Sequence, residues 1–270
     1  TLNVTGAGTN TGTLNQTGTG ASTFSTTLNK SGAVALQGTG TFTVAGTLTN
    51  SGTLSHTSSG NISLAAITNS ATGNITFGSG TNTISSTTNN VLGGVLTTAG
   101  TTTFTGTVTN RGTLNSGGNT TYSALSTVAG SNTTLSGTNT FNGTITNRGT
   151  YNSGGNTTYS ALSTVAGSTT TMAGTNTFNG NITNAGTFSG GTGTNTYARV
   201  TNNGTFNGGS GSNTFTTTSF SNSATGAFDS GTATNNFNVN FANSNTATFS
   251  DGITNFSAGF TNNDPDTVTA

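Results

Sequence analysis

Few side chains in this 270-residue chain could take part in acid–base, metal or nucleophilic chemistry. The acids are Asp229, Asp251, Asp264 and Asp266, the bases are Lys30, Arg111, Arg148 and Arg199, and the one histidine is His56. There is no cysteine and no glutamate. Asp229 and Asp251 stand 22 residues apart. If that distance is one structural repeat, they stack on neighbouring turns, where two carboxylates bind a cation or divide acid and base roles. The plainer reading is two solvated corner residues. His56 has no acid within 100 residues of sequence, so it reads as a surface or corner residue rather than a base or ligand. "NNDPD" at Asn262–Asp266 lacks the acidic spacing and closing glutamate of a calcium loop and reads as a turn. The glycine-rich stretches do not open helices, so they are corners and not phosphate cradles. The sequence therefore predicts no enzyme, with no catalytic, cofactor-binding or metal site.

Partners are narrowed by the same scarcity of charge. Net charge is zero and the four cations are scattered, whereas phosphate binding needs them clustered, so nucleic acid is not expected. No segment approaches the roughly 18 apolar residues that span a bilayer. The chain opens at Thr1 without a signal-peptide pattern and reads as a processed mature chain or an excised piece. The lack of cysteine excludes a disulfide scaffold.

What must position these residues is a repeat. Thr109–Ile145 and Thr146–Ile182 match at all but five of 37 positions, and the exceptions exchange like for like: Leu114/Tyr151, Asn132/Thr169, Leu135/Met172, Ser136/Ala173 and Thr144/Asn181. Leu, Ile, Val and Phe make up only about a sixth of the residues, which with no charge suits either a low-complexity linker or a solenoid with a narrow core.

Periodicity decides for the solenoid. One apolar series runs Leu14, Val34, Leu54, Ile75, Val95, Leu114, Leu135, Tyr151, Met172, Phe188, Phe206, Phe228, Phe249, in steps of 16 to 22 residues. A second closes "NTF"- or "TTY"-like triplets: Phe24, Phe42, Ile62, Ile84, Phe104, Tyr122, Phe141, Tyr159, Phe178, Tyr197, Phe215, Phe237, Phe256. A third opens the "xTN" phrase at Leu28, Leu48, Ile67, Val108, Val128, Ile145, Val165, Ile182, Val200, Phe220, Phe241 and Phe260, with Thr87 filling one turn. Each anchor sits in a polar–apolar–polar context, the mark of a short strand with one buried face. No 3.6-residue stripe exists, and glycine and threonine disfavour helix. The fold predicted is all-β: a single parallel β-helix over 1–270, of about 13 coils of about 19 residues, three short strands per coil. At about 4.8 Å per coil the column is roughly 60 Å long. The 37-residue unit is two coils, duplicated over 109–182, and 262–270 forms a terminal segment.

Asparagine recurs in "TN" at Asn10, Asn29, Asn50, Asn69, Asn110, Asn147, Asn184, Asn202, Asn222, Asn243 and Asn262. We read these as an amide ladder, each side chain bonding those above and below. Asn3, Asn61, Asn119, Asn156 and Asn203 fit the N-glycosylation acceptor pattern, which chance alone produces in so Asn- and Thr-rich a chain. "TNT" at Thr81–Thr83, Thr138–Thr140, Thr175–Thr177 and Thr194–Thr196 offers a threonine row of the kind that orders water on ice-binding solenoids.

At "GTLNSGGNTTYSALSTVAGSNTTLSG" the text resembles the passenger-associated repeats of bacterial autotransporters. The coil length is similar to that of filamentous haemagglutinin-type adhesins. The strict match covers about Thr109–Gly191, with looser coils over nearly the whole chain. The resemblance implies a right-handed β-helix that is exported and displayed at the cell surface. The chain has neither that family's membrane-barrel translocator nor an evident long excursion from the column.

The expected function is an extracellular structural subunit, built into a surface fibre by head-to-tail stacking of its own copies. The alternatives are a passenger-type adhesin binding a host or sugar surface and, third, an ice-binding solenoid.

Overall fold

The computed structural model describes residues 1–263 and 268–269. The chain is a parallel β-solenoid of about 14 turns of ~19 residues, with no helix among the described residues. It divides into two compact units, Thr1–Thr140 and Phe141–Ala270.

In the first unit one parallel sheet is built from strands such as Thr13–Gln16, Ala33–Leu36, Thr53–His56 and Asn74–Phe77, each in register with the next. The other sheet carries two segments per coil. In the first coils these are separate, as Ser22–Phe24 and Leu28–Lys30; later they fuse into strands such as Phe42–Asn50, Ile62–Asn69 and Thr101–Asn110. The corner survives inside the fused strands as a shift of register, between Val44 and Thr47 and between Phe104 and Thr107. A bulge turns the strand without breaking the ladder, so the third corner costs few backbone hydrogen bonds. The second unit repeats the plan. Thr157–Thr164, Asn176–Asn184 and Thr194–Asn202 are fused strands with bulges after Tyr159 and Phe178. Towards its last turns the segments separate again, as Ser212–Phe215 and Ser219–Asn222.

Corners are tight because one backbone lies directly on the next. A Cβ on Gly118 would fall on the carbonyl oxygens of Ala99 and Gly100. Gly130 and Gly167, 37 residues apart, both adopt φ of 82°, a region that side chains other than glycine rarely enter.

Each unit's core is a set of inward columns. Phe104, Tyr122, Phe141, Tyr159, Phe178, Tyr197 and Phe215 are all buried, as the 18- and 19-residue spacing requires. In the second unit Phe141, Tyr159, Phe178, Tyr197, Phe215, Phe237 and Phe256 stack ring on ring, with centroids 4.3–5.6 Å apart.

Several anchors occupy a different column from the one their spacing suggests. Phe24 pairs with Val44 and then Leu64 and Ile84, while Phe42 and Ile62 lie two residues earlier, in line with Ser22 and Asn82. Leu96, not Val95, continues the Leu14–Val34–Leu54–Ile75 column, and Leu135 and Met172 sit opposite Ser116 and Ser153. Leu125 and Leu162 replace Val128 and Val165, Thr88 replaces Thr87, and Ala247, not Phe249, faces Phe228. The cause is common to the two-residue slips: residues i and i+2 of a strand face the same side, so an apolar residue at either buries equally well.

Candidate functional site

The duplicated 37-residue text is matched contact by contact. Asn110 Nδ2 donates to the Asn132 carbonyl and Thr133 Oγ1, at 2.9 and 3.0 Å; Asn147 Nδ2 donates to the Thr169 carbonyl and Thr170 Oγ1, both at 2.9 Å. Ser116 donates to Asn139, and Ser153 to Asn176, both at 3.0 Å. The polar interior is thus inherited with the sequence.

That interior contains the amide ladder expected from "TN". In the first unit Asn50 Nδ2 donates to Asn69 Oδ1, Asn69 to Asn90 and Asn90 to Asn110, each at 2.8 Å. In the second unit Thr164 donates to Asn184, then Asn184 to Asn202, Asn202 to Asn222, Asn222 to Asn243 and Asn243 to Asn262, the last four at 2.7–2.9 Å. Most rungs also cap a corner carbonyl, as Asn202 caps Ala227 at 2.8 Å. Every donor points toward the higher-numbered coil, so the amide dipoles within each unit run head to tail. Asn29 is not a rung. It is exposed, and its neighbour Lys30 takes the inward place.

A second ladder went unread in the sequence. Asn176 donates to Asn195, Asn195 to Asn213 and Asn213 to Asn235, at 2.9–3.0 Å. These asparagines are the centres of the "TNT"- and "SNT"-like phrases, and alternation along the strand could have placed them inward once the threonines were placed outward.

His56, expected at the surface or a corner, is interior, and so is Lys30. Lys30 Nζ donates to Asn50 Oδ1 at 2.6 Å, placing a cation against the carbonyl end of the first unit's ladder. Burial lowers its pKa to about 8. The buried His56 accepts the Gly78 N–H at Nδ1, 3.1 Å away, and burial lowers its pKa below the ordinary imidazole value. Burial likewise raises the phenols of Tyr122, Tyr159 and Tyr197, that of Tyr159 up to about 12.

The two aspartates do not stack. Asp229 lies opposite Thr248, its carboxylate accepting from the Gly231 N–H at 2.9 Å and Ser250 Oγ at 2.8 Å, while Asp251 is exposed beyond the strand. The coil here is 19 residues, not 22, so three residues separate Asp251 from that rung. Among the described residues no three His, Cys, Asp or Glu side chains converge on a metal-sized site. Asp264 and Asp266 lie outside the described residues, as does most of the 262–270 segment.

The outer faces are rows of hydroxyls and amides. Thr81 pairs with Thr101 and Thr83 with Thr103, and Thr158, Thr177, Thr196 and Thr214 follow one another in register. Asn3, Asn61, Asn119, Asn156 and Asn203 are all exposed. The apolar exceptions are concentrated in the final coils, where Ile253, Phe256, Phe260 and Val268 are 60%, 36%, 38% and 42% exposed. Leu92, at a corner of the first unit, is 66% exposed and Leu2 at the first coil is exposed too, and a cavity of about 290 Å³ opens beside Leu14 and Gln16.

No family model matches the chain, and no curated protein does. The solved structure of a TibC-catalyzed hyper-glycosylated TibA55-350 fragment aligns with 98% of this chain and 100% of its own, at 17% identity and a TM-score of 0.31, too slight a likeness to bear on function.

Proposed function

We propose that this chain is a structural β-solenoid of the cell exterior whose copies stack head to tail into a filament. The observation that carries the reading is the gathering of exposed apolar side chains on the last described turns: Ile253, Phe256, Phe260 and Val268. A parallel coil exposes unpaired backbone groups as well, and another coil laid on it satisfies both needs at once. A top that fits its own bottom is a heterologous contact, and one that does not close gives an open filament. Zero net charge offers no long-range repulsion against it. Sedimentation velocity across a concentration series, with negative-stain microscopy, tests this. Growth of rods and fibres with concentration is the expected result, and a single monomeric species at high concentration overturns it.

The outer rows favour a second reading, a passenger-type adhesin. Registered hydroxyls and amides such as Thr81, Thr83, Thr101 and Thr103 are the groups that hydrogen-bond sugars. Saturable binding to glycans or host cells by monomeric protein would put this reading first. The same rows stay in register despite unequal coil lengths, which keeps the ice-binding reading open to a thermal-hysteresis measurement.

A further inference from the structure

We propose that Lys30 and Asn50 condense into an isopeptide bond, which ties two successive coils of the first unit together through their side chains. Lys30 is the chain's one lysine. It stands in the column of the amide ladder, paired in register with Asn10 before it and Asn50 after it. Its Nζ lies 2.6 Å from Asn50 Oδ1. A carbonyl bond is about 1.2 Å long, so the amine is within about 4 Å of Asn50 Cγ, near the separation from which reacting atoms join.

The pair is held and kept dry. Asn50 Nδ2 donates to Asn69 Oδ1 at 2.8 Å and to the Asn74 carbonyl at 3.3 Å, so the amide cannot turn its oxygen away from the lysine without breaking both bonds. Lys30 and Asn50 are 2% and 0% exposed, and Leu28 and Leu48, two residues earlier on the same face, are fully buried. Out of water the neutral form of a lysine is favoured, and the neutral amine is the nucleophile. Burial here lowers the Lys30 pKa to about 8. Groups held in place react as though present at effective molarities of about 10⁵–10⁸ M, enough to bring a very slow amide exchange into the life of a protein. Every acid of the sequence lies outside 1–140, so position and desolvation drive the step without a carboxylate, and it is a slow maturation after folding.

The step balances without oxidant or cofactor. Lys30 first yields its ammonium proton to water. Its neutral Nζ then attacks Asn50 Cγ; the Nζ–Cγ bond forms, the Cγ–Nδ2 bond breaks, and one Nζ proton leaves with Nδ2 as ammonia. Until the bond closes, Lys30 is a free amine and titrates as one.

Mass spectrometry of the intact chain, aged after refolding and then denatured and digested with trypsin, tests the bond. A free lysine is cut on its carboxyl side and an acylated one is not. The expected product is a peptide that ends at Arg111, still contains an uncut Lys30, and is lighter than its sequence by one ammonia, with fragmentation placing the link between residues 30 and 50. Lys30→Arg keeps a cation but offers no neutral amine, and is expected to show the full mass and a cut at position 30. Asn50→Ala is expected to restore the cut at Lys30. The measurement on the unaltered chain requires neither variant to fold. Complete cutting after Lys30 in the aged, unaltered chain, with both peptides at full mass, overturns the proposal. So does a loss of ammonia that persists in Asn50→Ala.

Discussion

Tyr159 and Phe178 lie face to face in the second unit, ring centroids 4.3 Å apart and planes within 6°. They belong to successive coils and face each other because their strands pair in register. The lever this gives on stability is large. Phe178→Ala removes a fully buried ring that also stacks on Tyr197 at 5.2 Å and meets Phe188 edge-on at 6.1 Å. Its expected cost is about 3–5 kcal/mol, the range for buried Phe to Ala. Denaturant unfolding checks it, and a change below about 1 kcal/mol would contradict the packing described.

Ladder polarity is tested by Asn202→Asp, which keeps the shape and removes the donor. The carboxylate can still accept from Asn184 but can no longer donate to Asn222 Oδ1 or the Ala227 carbonyl, now 2.7 and 2.8 Å from an oxygen. Each buried group left unsatisfied costs about 1–3 kcal/mol. The loss is expected to shrink in acid, where a protonated carboxyl regains one donor. A loss equal at pH 3 and pH 7 would refute the assignment.

Salt is expected to matter little, for want of exposed charge. pH is a different matter, because the few titratable groups are in the interior. His56 has a folded pKa below its ordinary 6.5, so its contribution to stability is present above 6.5 and lost as pH falls. Lys30, lowered from 10.5 to about 8, behaves likewise: the unfolded chain holds the proton longer, and stability rises between pH 8 and 10.5. Tyr159 goes the other way, with a folded pKa raised from 10.0 to about 12, so stability is lost above pH 10. A melting curve flat between pH 6.5 and 8 is expected, and Lys30→Met should abolish the rise above pH 8.

Gly118→Ala is expected to be worse than its single methyl suggests, since the Cβ would fall on two carbonyl oxygens of the preceding coil. A loss towards the upper end of about 1–3 kcal/mol, by thermal or denaturant unfolding, is predicted from overpacking. Gly12→Ala, with open space at its Cβ, is the control and should change little.

The period, the strand type and the duplication were legible in the sequence because they depend on alternation and repetition alone. Which of two inward residues shares a column with its neighbours was not. Phe42 and Val44 both point inward, and only backbone pairing selects Val44 as the partner of Phe24. The interior places of Lys30 and His56 run against the rule that polar, ionisable side chains are seldom fully buried. The sequence shows nothing of the Asn50 carbonyl or the Gly78 N–H that receive them. The second amide ladder is hidden in the sequence because its asparagines stand between threonines and serines of similar polarity, with no apolar residue to mark them as inward.

The oriented amides also bear on how such a chain can lengthen over generations. A rung that accepts from the coil before and donates to the coil after has two unlike edges, and any inserted block must present the same two edges. In the copied stretch Asn110, Thr127, Asn147, Thr164 and Asn184 alternate between amide and hydroxyl. Elsewhere single coils present both edges with asparagine alone, as the run from Asn184 to Asn262 does. The copied block of 37 residues is two coils long, and each copy carries one amide and one hydroxyl rung.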